Sequence, residues 1–121
     1  MAIILDGSAA GGEGNTTGVV ATVINSQTSA YVLVASDSGK TITITTGGVT
    51  VNNAVMTAGN IVSIFNNSGS AQTITQGTGL TLRFAGQTTA TTGNRTLSLY
   101  GFATLVFISP SVAIILGAGV T

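Results

Sequence analysis

Cysteine, histidine and tryptophan are absent from the 121 residues, and each absence narrows the chemistry open to the chain. Without cysteine there is neither a disulfide nor a thiolate metal site, and the redox compartment is left open. Without histidine the usual general base of acid–base and nucleophilic catalysis is missing, so no enzyme is expected. Charge is scarce as well. Three acids (Asp6, Glu13, Asp37) and three bases (Lys40, Arg83, Arg95) make up 5% of the chain, against about 25% in ordinary soluble domains. Three scattered cations cannot neutralise the several phosphates on which nucleic-acid affinity depends, so nucleic acid is not an expected partner. Three carboxylates far apart in sequence do not make a calcium or magnesium cage, and no metal or other cofactor is expected. The opening Met1-Ala2-Ile3-Ile4-Leu5-Asp6 lacks the basic start and the length of a secretory signal.

With so few ions, the surface has to be built from neutral Thr, Ser, Asn and Gln. A free monomer of this kind has little charge repulsion to hold its copies apart, which points to a surface covered by other subunits or by a partner. The chain is long enough for one domain with a core and too short for two. Residues 1 to 18 differ from the rest: after Ile3, Ile4 and Leu5 they are rich in glycine and carry no apolar period. Such a segment is expected to form a flexible arm, leaving residues 19 to 121 as the folded domain. Its apolar tip could dock by adding a strand to another protein's sheet edge, fray as an ordinary terminus, or supply a first strand to its own domain.

The remainder reads as strands. Val19 to Ile24 is the expected first core strand, Tyr31 to Val34 the second and Thr41 to Thr45 the third, the last with Ile42 and Ile44 on one face and threonines on the other. Asp37-Ser38-Gly39-Lys40 has the composition of a hairpin turn. Ile61 to Phe65 and the run Leu80, Leu82, Phe84 extend the pattern, and Thr43 to Val51 resembles Thr73 to Leu82 in having a strand, a Gly-rich turn and a strand. No helical period appears. Short strands every eight to twelve residues or so predict an all-β fold, an antiparallel β-sandwich or barrel of jelly-roll type. Phe102 to Val120 is apolar and about long enough to span a bilayer. Ser109-Pro110-Ser111 divides it, however, and the preferred reading is two buried strands, Ala103 to Ile108 and Val112 to Leu116, with no membrane as partner.

Motifs that would carry chemistry fail on inspection. Gly39-Lys40-Thr41 imitates the end of a phosphate-binding loop, yet Val34 stands where its first glycine belongs and a strand follows. Asn15-Thr16-Thr17, Asn66-Asn67-Ser68 and Asn94-Arg95-Thr96 fit the glycosylation sequon by the chance expected of a chain rich in Asn and Thr. The aromatics lie within strand-like runs, where core packing accounts for most of them. Arg83, Arg95, Asp37 and Lys40 are the candidates for a subunit interface or a surface ion pair.

From about Thr28 onward the chain resembles a small β-domain of tailed-bacteriophage structural proteins. The residues that carry the resemblance are Tyr31-Val32-Leu33-Val34, the turn Asp37 to Lys40 with its Thr-Ile strands, and Ala58-Gly59-Asn60-Ile61-Val62-Ser63-Ile64 leading to Asn66-Asn67-Ser68-Gly69. Thr73-Ile74-Thr75, the closing Gly101 to Ile108 and a final Leu116-Gly117 complete them. The chain departs from that family in lacking a fibre shaft and in having Val112 to Ile115 where a Trp is often found. The resemblance implies a virion component, commonly trimeric. Together with the arm, it implies a head-decoration (cement) protein on the capsid outer surface, with the major capsid protein and its own copies as partners. The capsid contacts would then be Ile3, Ile4, Leu5, Asp6 and Glu13. A tail-fibre or receptor-binding tip that recognises a host glycan is the alternative.

Overall fold

The computed structural model of the chain describes residues 21–89 and 91–121. Over these residues it is all-β, with nine strands and one 3-10 turn at Ala35–Asp37. The strands are β1 (Ile24–Gln27), β2 (Tyr31–Val32), β3 (Thr41–Ile44), β4 (Val49–Val51), β5 (Ile61–Asn66), β6 (Gln72–Gln76), β7 (Thr81–Phe84), β8 (Arg95–Ser109) and β9 (Val112–Val120). They form one nearly closed mixed sheet with a barrel or sandwich-like shape.

Their order explains the shape. β1, β3 and β5 stack in parallel, and so do β2, β4 and β6. The chain therefore alternates between two stacks, laying one strand on each as it climbs. β8 joins the stacks: residues 102–106 pair with β5 and residues 95–97 with β6, both antiparallel. β9 follows β8 back in antiparallel register, and β7 adds to β9 in parallel. The antiparallel pairing expected from the sequence is thus confined to the ladders that β8 makes, and the remaining five are parallel.

The core lies between the stacks and follows the strand period. On one side Ile42, Ile44, Val62, Ile64, Leu105, Phe107 and Ile115 are buried, and on the other Val49, Val51, Ile74 and Leu97. Across β5, β8 and β9 the inward rows complement one another in size: Val62, Leu105 and Ile115 are in register, and so are Ile64, Ala103 and Gly117. A small residue in one row leaves room for a large one beside it, which close packing requires. The predicted pair of apolar strands around Pro110 is the β8–β9 hairpin.

The turn from one stack to the other needs particular residues. β8 bends at Tyr100-Gly101, where Tyr100 has φ 55° and the register with β9 shifts between Leu97 and Phe102. A Cβ on the buried Gly101 would lie 2.7 Å from Leu97 Cδ1 and 2.9 Å from the Ser98 carbonyl oxygen, so only glycine fits the inside of this corner. Two buried polar side chains, joined through the Ser68 hydroxyl, serve the corners of the coils. Asn66 donates to the carbonyls of Ser70, Leu97 and Ser98. Gln72 accepts from the Gly48 N–H and donates to the Thr45 carbonyl. Both satisfy backbone groups that leave the ladders at a corner.

Two expectations are corrected. The first described strand begins at Ile24, where the sequence reading ended it, and Val23 and Ile24 are exposed. Residues 19 and 20 lie outside the described part. The stretch Asp37 to Lys40 is not a hairpin, because β2 and β3 belong to different stacks and do not pair. Thr43 to Val51 and Thr73 to Leu82 are each a strand, a Gly-rich turn and a strand as expected, but in different stacks, Ile74 to Gln76 lying on Val49 to Val51.

Candidate functional site

The one acidic side chain among the described residues, Asp37, is fully buried. Its carboxylate accepts from the Val34 N–H (2.9 Å), the Tyr31 hydroxyl (2.7 Å) and Asn25 Nδ2 (3.0 Å). Asn25 Nδ2 also donates to the Tyr31 hydroxyl, and Gln27 Nε2 donates to Asn25 Oδ1. Lys40 Nζ stands 3.9 Å from Asp37 Oδ1 on a half-exposed side chain. The ion pair proposed from sequence therefore exists, but its acid lies inside the protein and not on the surface. Burial, then the Asp37 carboxylate to which it donates, push the Tyr31 phenol above its ordinary value of about 10, while the Asn25 bond opposes them.

The position of this cluster gives its role. Asn25 and Gln27 are in register with Ile42 and Ile44, so the first described coil turns amides toward the interior where the next turns isoleucines. Tyr31 is likewise in register with Val49. Among the described residues the network lies at the end of the apolar core, made of groups that satisfy one another. With both carboxylate oxygens of Asp37 accepting from structural donors, the arrangement is suited to holding β1, β2 and the 3-10 turn together. No group of three or more metal-ligating side chains occurs among the described residues, and no helix there is long and apolar enough to cross a membrane.

A second feature lies on the outer face of β5, β8 and β9. Ile61, Val106 and Ile114 form one cross-strand row, Phe65 and Phe102 another, and Leu116 stands opposite Thr104. The two phenyl rings are 6.2 Å apart between centroids. Ile61, Phe102 and Leu116 are 48%, 43% and 44% exposed, whereas outward residues of a solvated sheet are normally polar. No charged residue stands in β5 or β9, and β8 has only Arg95 at its start. Thr43 of β3, in register with Phe65, flanks the face on one side and Arg83, in register with Ile114, on the other. An apolar centre with a polar rim is the anatomy of an interaction surface.

The remaining candidates from sequence fall apart spatially. Arg83 is exposed, with Nη1 3.4 Å from Thr91 Oγ1. Arg95 lies 5.3 Å from the Phe84 ring centroid and donates from Nε to the Asn94 carbonyl. Neither belongs to the Asp37 cluster. Ile3, Ile4, Leu5, Asp6 and Glu13 lie outside the described residues. Of the aromatics assigned to the core, Phe107 is buried, Tyr31 and Phe84 are partly buried against the core cluster, and Tyr100 and Phe102 are exposed. The outer face was in principle visible in the sequence, since apolar residues occupy both phases of Phe102 to Ile108. Comparisons with family models, with curated proteins and with solved structures match nothing to this chain.

Proposed function

We propose that the chain is a non-enzymatic decoration protein of a tailed-phage head, which sits as a trimer on the outside of the assembled capsid and clamps neighbouring capsid subunits. The observation that carries this reading is the uncharged apolar face of β5, β8 and β9. Covering it removes hydrophobic surface from water at about 25 cal/mol per Å², and no side chain on it has to change its protonation state. The scarcity of ions supports the same reading, because a neutral surface is best suited to being covered. So does the resemblance of Tyr31 to Leu116 to virion β-domains. Residues 1 to 18 serve as a second contact, reaching from the domain to an adjacent capsid subunit.

Cryo-electron microscopy of the particle that contains the protein tests the proposal. Density for the chain at repeated positions on the head surface is the expected result. Density confined to the tail would replace this reading with that of a fibre-tip module. A chain lacking residues 2 to 12 should keep its fold and lose head occupancy; full occupancy by that truncated chain would remove the arm from the account.

A further inference from the structure

Lys40 is the only lysine of the chain, and the fold sets it beside the Asp37 cluster. The Thr41 N–H donates to the Val23 carbonyl and the Ser63 N–H to the Lys40 carbonyl, so strand geometry reaches back from β3 to Lys40. Ile42, two residues on, is in register with Asn25. Lys40 and Asn25 therefore share one face of neighbouring strands. A single oxygen serves both side chains: Asp37 Oδ1 is 3.9 Å from Lys40 Nζ and 3.0 Å from Asn25 Nδ2. The Asn25 amide is held at its other atoms too. Its Nδ2 also donates to the Tyr31 hydroxyl at 3.0 Å, and its Oδ1 accepts from Gln27 Nε2 at 2.7 Å. An amine, a carboxamide with a donor on its oxygen, and a fully buried carboxylate beside both nitrogens are the parts of an acyl transfer.

We propose that Lys40 and Asn25 become joined by an isopeptide bond, with Asp37 as the proton carrier. The Lys40 ammonium gives one proton to Asp37, and the freed Nζ adds to Asn25 Cγ. The electron pair of the carbonyl moves to Oδ1, where Gln27 Nε2 stabilises it. A second proton passes from Nζ to Nδ2, the carbonyl re-forms, and the Cγ–Nδ2 bond breaks to release ammonia. Asp37 returns its proton to that ammonia and ends as it began. An ammonium and a carboxamide have become a secondary amide and an ammonium ion, with nothing oxidised or reduced. The reaction is slow, because Lys40 is 30% exposed and must shed a proton before it can attack. The ion pair is the state of the freshly folded chain, and the hydrogen-bond and ion-pair energies of this cluster belong to that state. Once formed, the bond ties β1 covalently to the start of β3 and closes the loop between residues 25 and 40.

Intact mass spectrometry of the folded protein, held for days at mildly alkaline pH, tests this. The expected result is the loss of one ammonia from the wild type and none from Lys40→Arg, which keeps the charge and lacks the nucleophile. Trypsin should then fail to cut after Lys40. Chymotrypsin should cut after Tyr31 and Leu33 and leave the peptides that contain Asn25 and Lys40 attached to each other. An unchanged mass would overturn the proposal. So would an ammonia loss that Lys40→Arg shares, which is the mark of an asparagine closing on its own backbone. Loss of water in place of ammonia would put the bond on Asp37 and overturn it as well, and an equal rate in denaturing urea would show that the folded geometry plays no part. Capsids are absent from the measurement, so its outcome is separate from that of the head-binding experiment.

Discussion

Asp37 shows how much depends on where a charge is placed. Three donors and the Lys40 ammonium surround it, so Asp37→Ala strands several buried polar groups at once and should cost about 3 kcal/mol of folding stability. Lys40 is half exposed and its partner keeps its other bonds, so Lys40→Ala should cost less than about 1 kcal/mol. Urea titration of both variants checks the contrast, and equal losses would mean that the ion pair, not the hydrogen-bonded cage, stabilises the carboxylate. Tyr31 adds a pH dependence of definite sign. Its phenol is held protonated in the fold with a raised pKa, so as pH climbs past about 10 the unfolded chain loses its proton first. The stabilisation is therefore complete below that pH and declines as pH rises through the folded value. The urea midpoint of the wild type should fall more steeply above pH 10 than that of Tyr31→Phe, and parallel declines would place the titration elsewhere.

At the scale of elements, β8 is the strand on which the architecture turns, since it pairs with both stacks and with β9. Its corner at Gly101 admits no side chain, and Gly101→Ala should cost about 2 kcal/mol by overpacking against Leu97 and the Ser98 carbonyl. Leu105→Ala, in the middle of the inward row, should cost about 3 kcal/mol through the cavity it leaves. Thermal unfolding measures both, and a neutral Gly101→Ala would mean that the corner can relax. Much of this was legible in the sequence. The alternation of Ile42 and Ile44, the inward Leu80 and Leu82 and the Pro110 turn all follow from a two-residue period. The pairing was not legible, because parallel and antiparallel strands share that period and the partner of each parallel strand lies a whole coil away. The start of β1 was misjudged because apolar Val23 and Ile24 look like core, whereas the inward positions of the first described coil belong to Asn25 and Gln27. Asp37 does lie in the turn read from the sequence, where the Lys40 N–H donates to its carbonyl, although the turn joins no hairpin. Its neighbours suit a turn, but its burial comes from Asn25 and Tyr31, which no local spacing connects to it.

For the whole molecule, the central claim is that the protein works by covering and being covered through the uncharged face of β5, β8 and β9. Phe102 and Leu116 project from that face and are exposed, so charges introduced there should leave the core intact while making burial of the face costly. The most direct measurement is co-sedimentation of the purified protein with assembled heads, comparing the wild type with the Phe102→Asp, Leu116→Asp double variant after both are shown to unfold cooperatively. The account predicts that the wild type pellets with the heads to saturation and that the variant stays in the supernatant. A folded variant that pellets as fully as the wild type would contradict it.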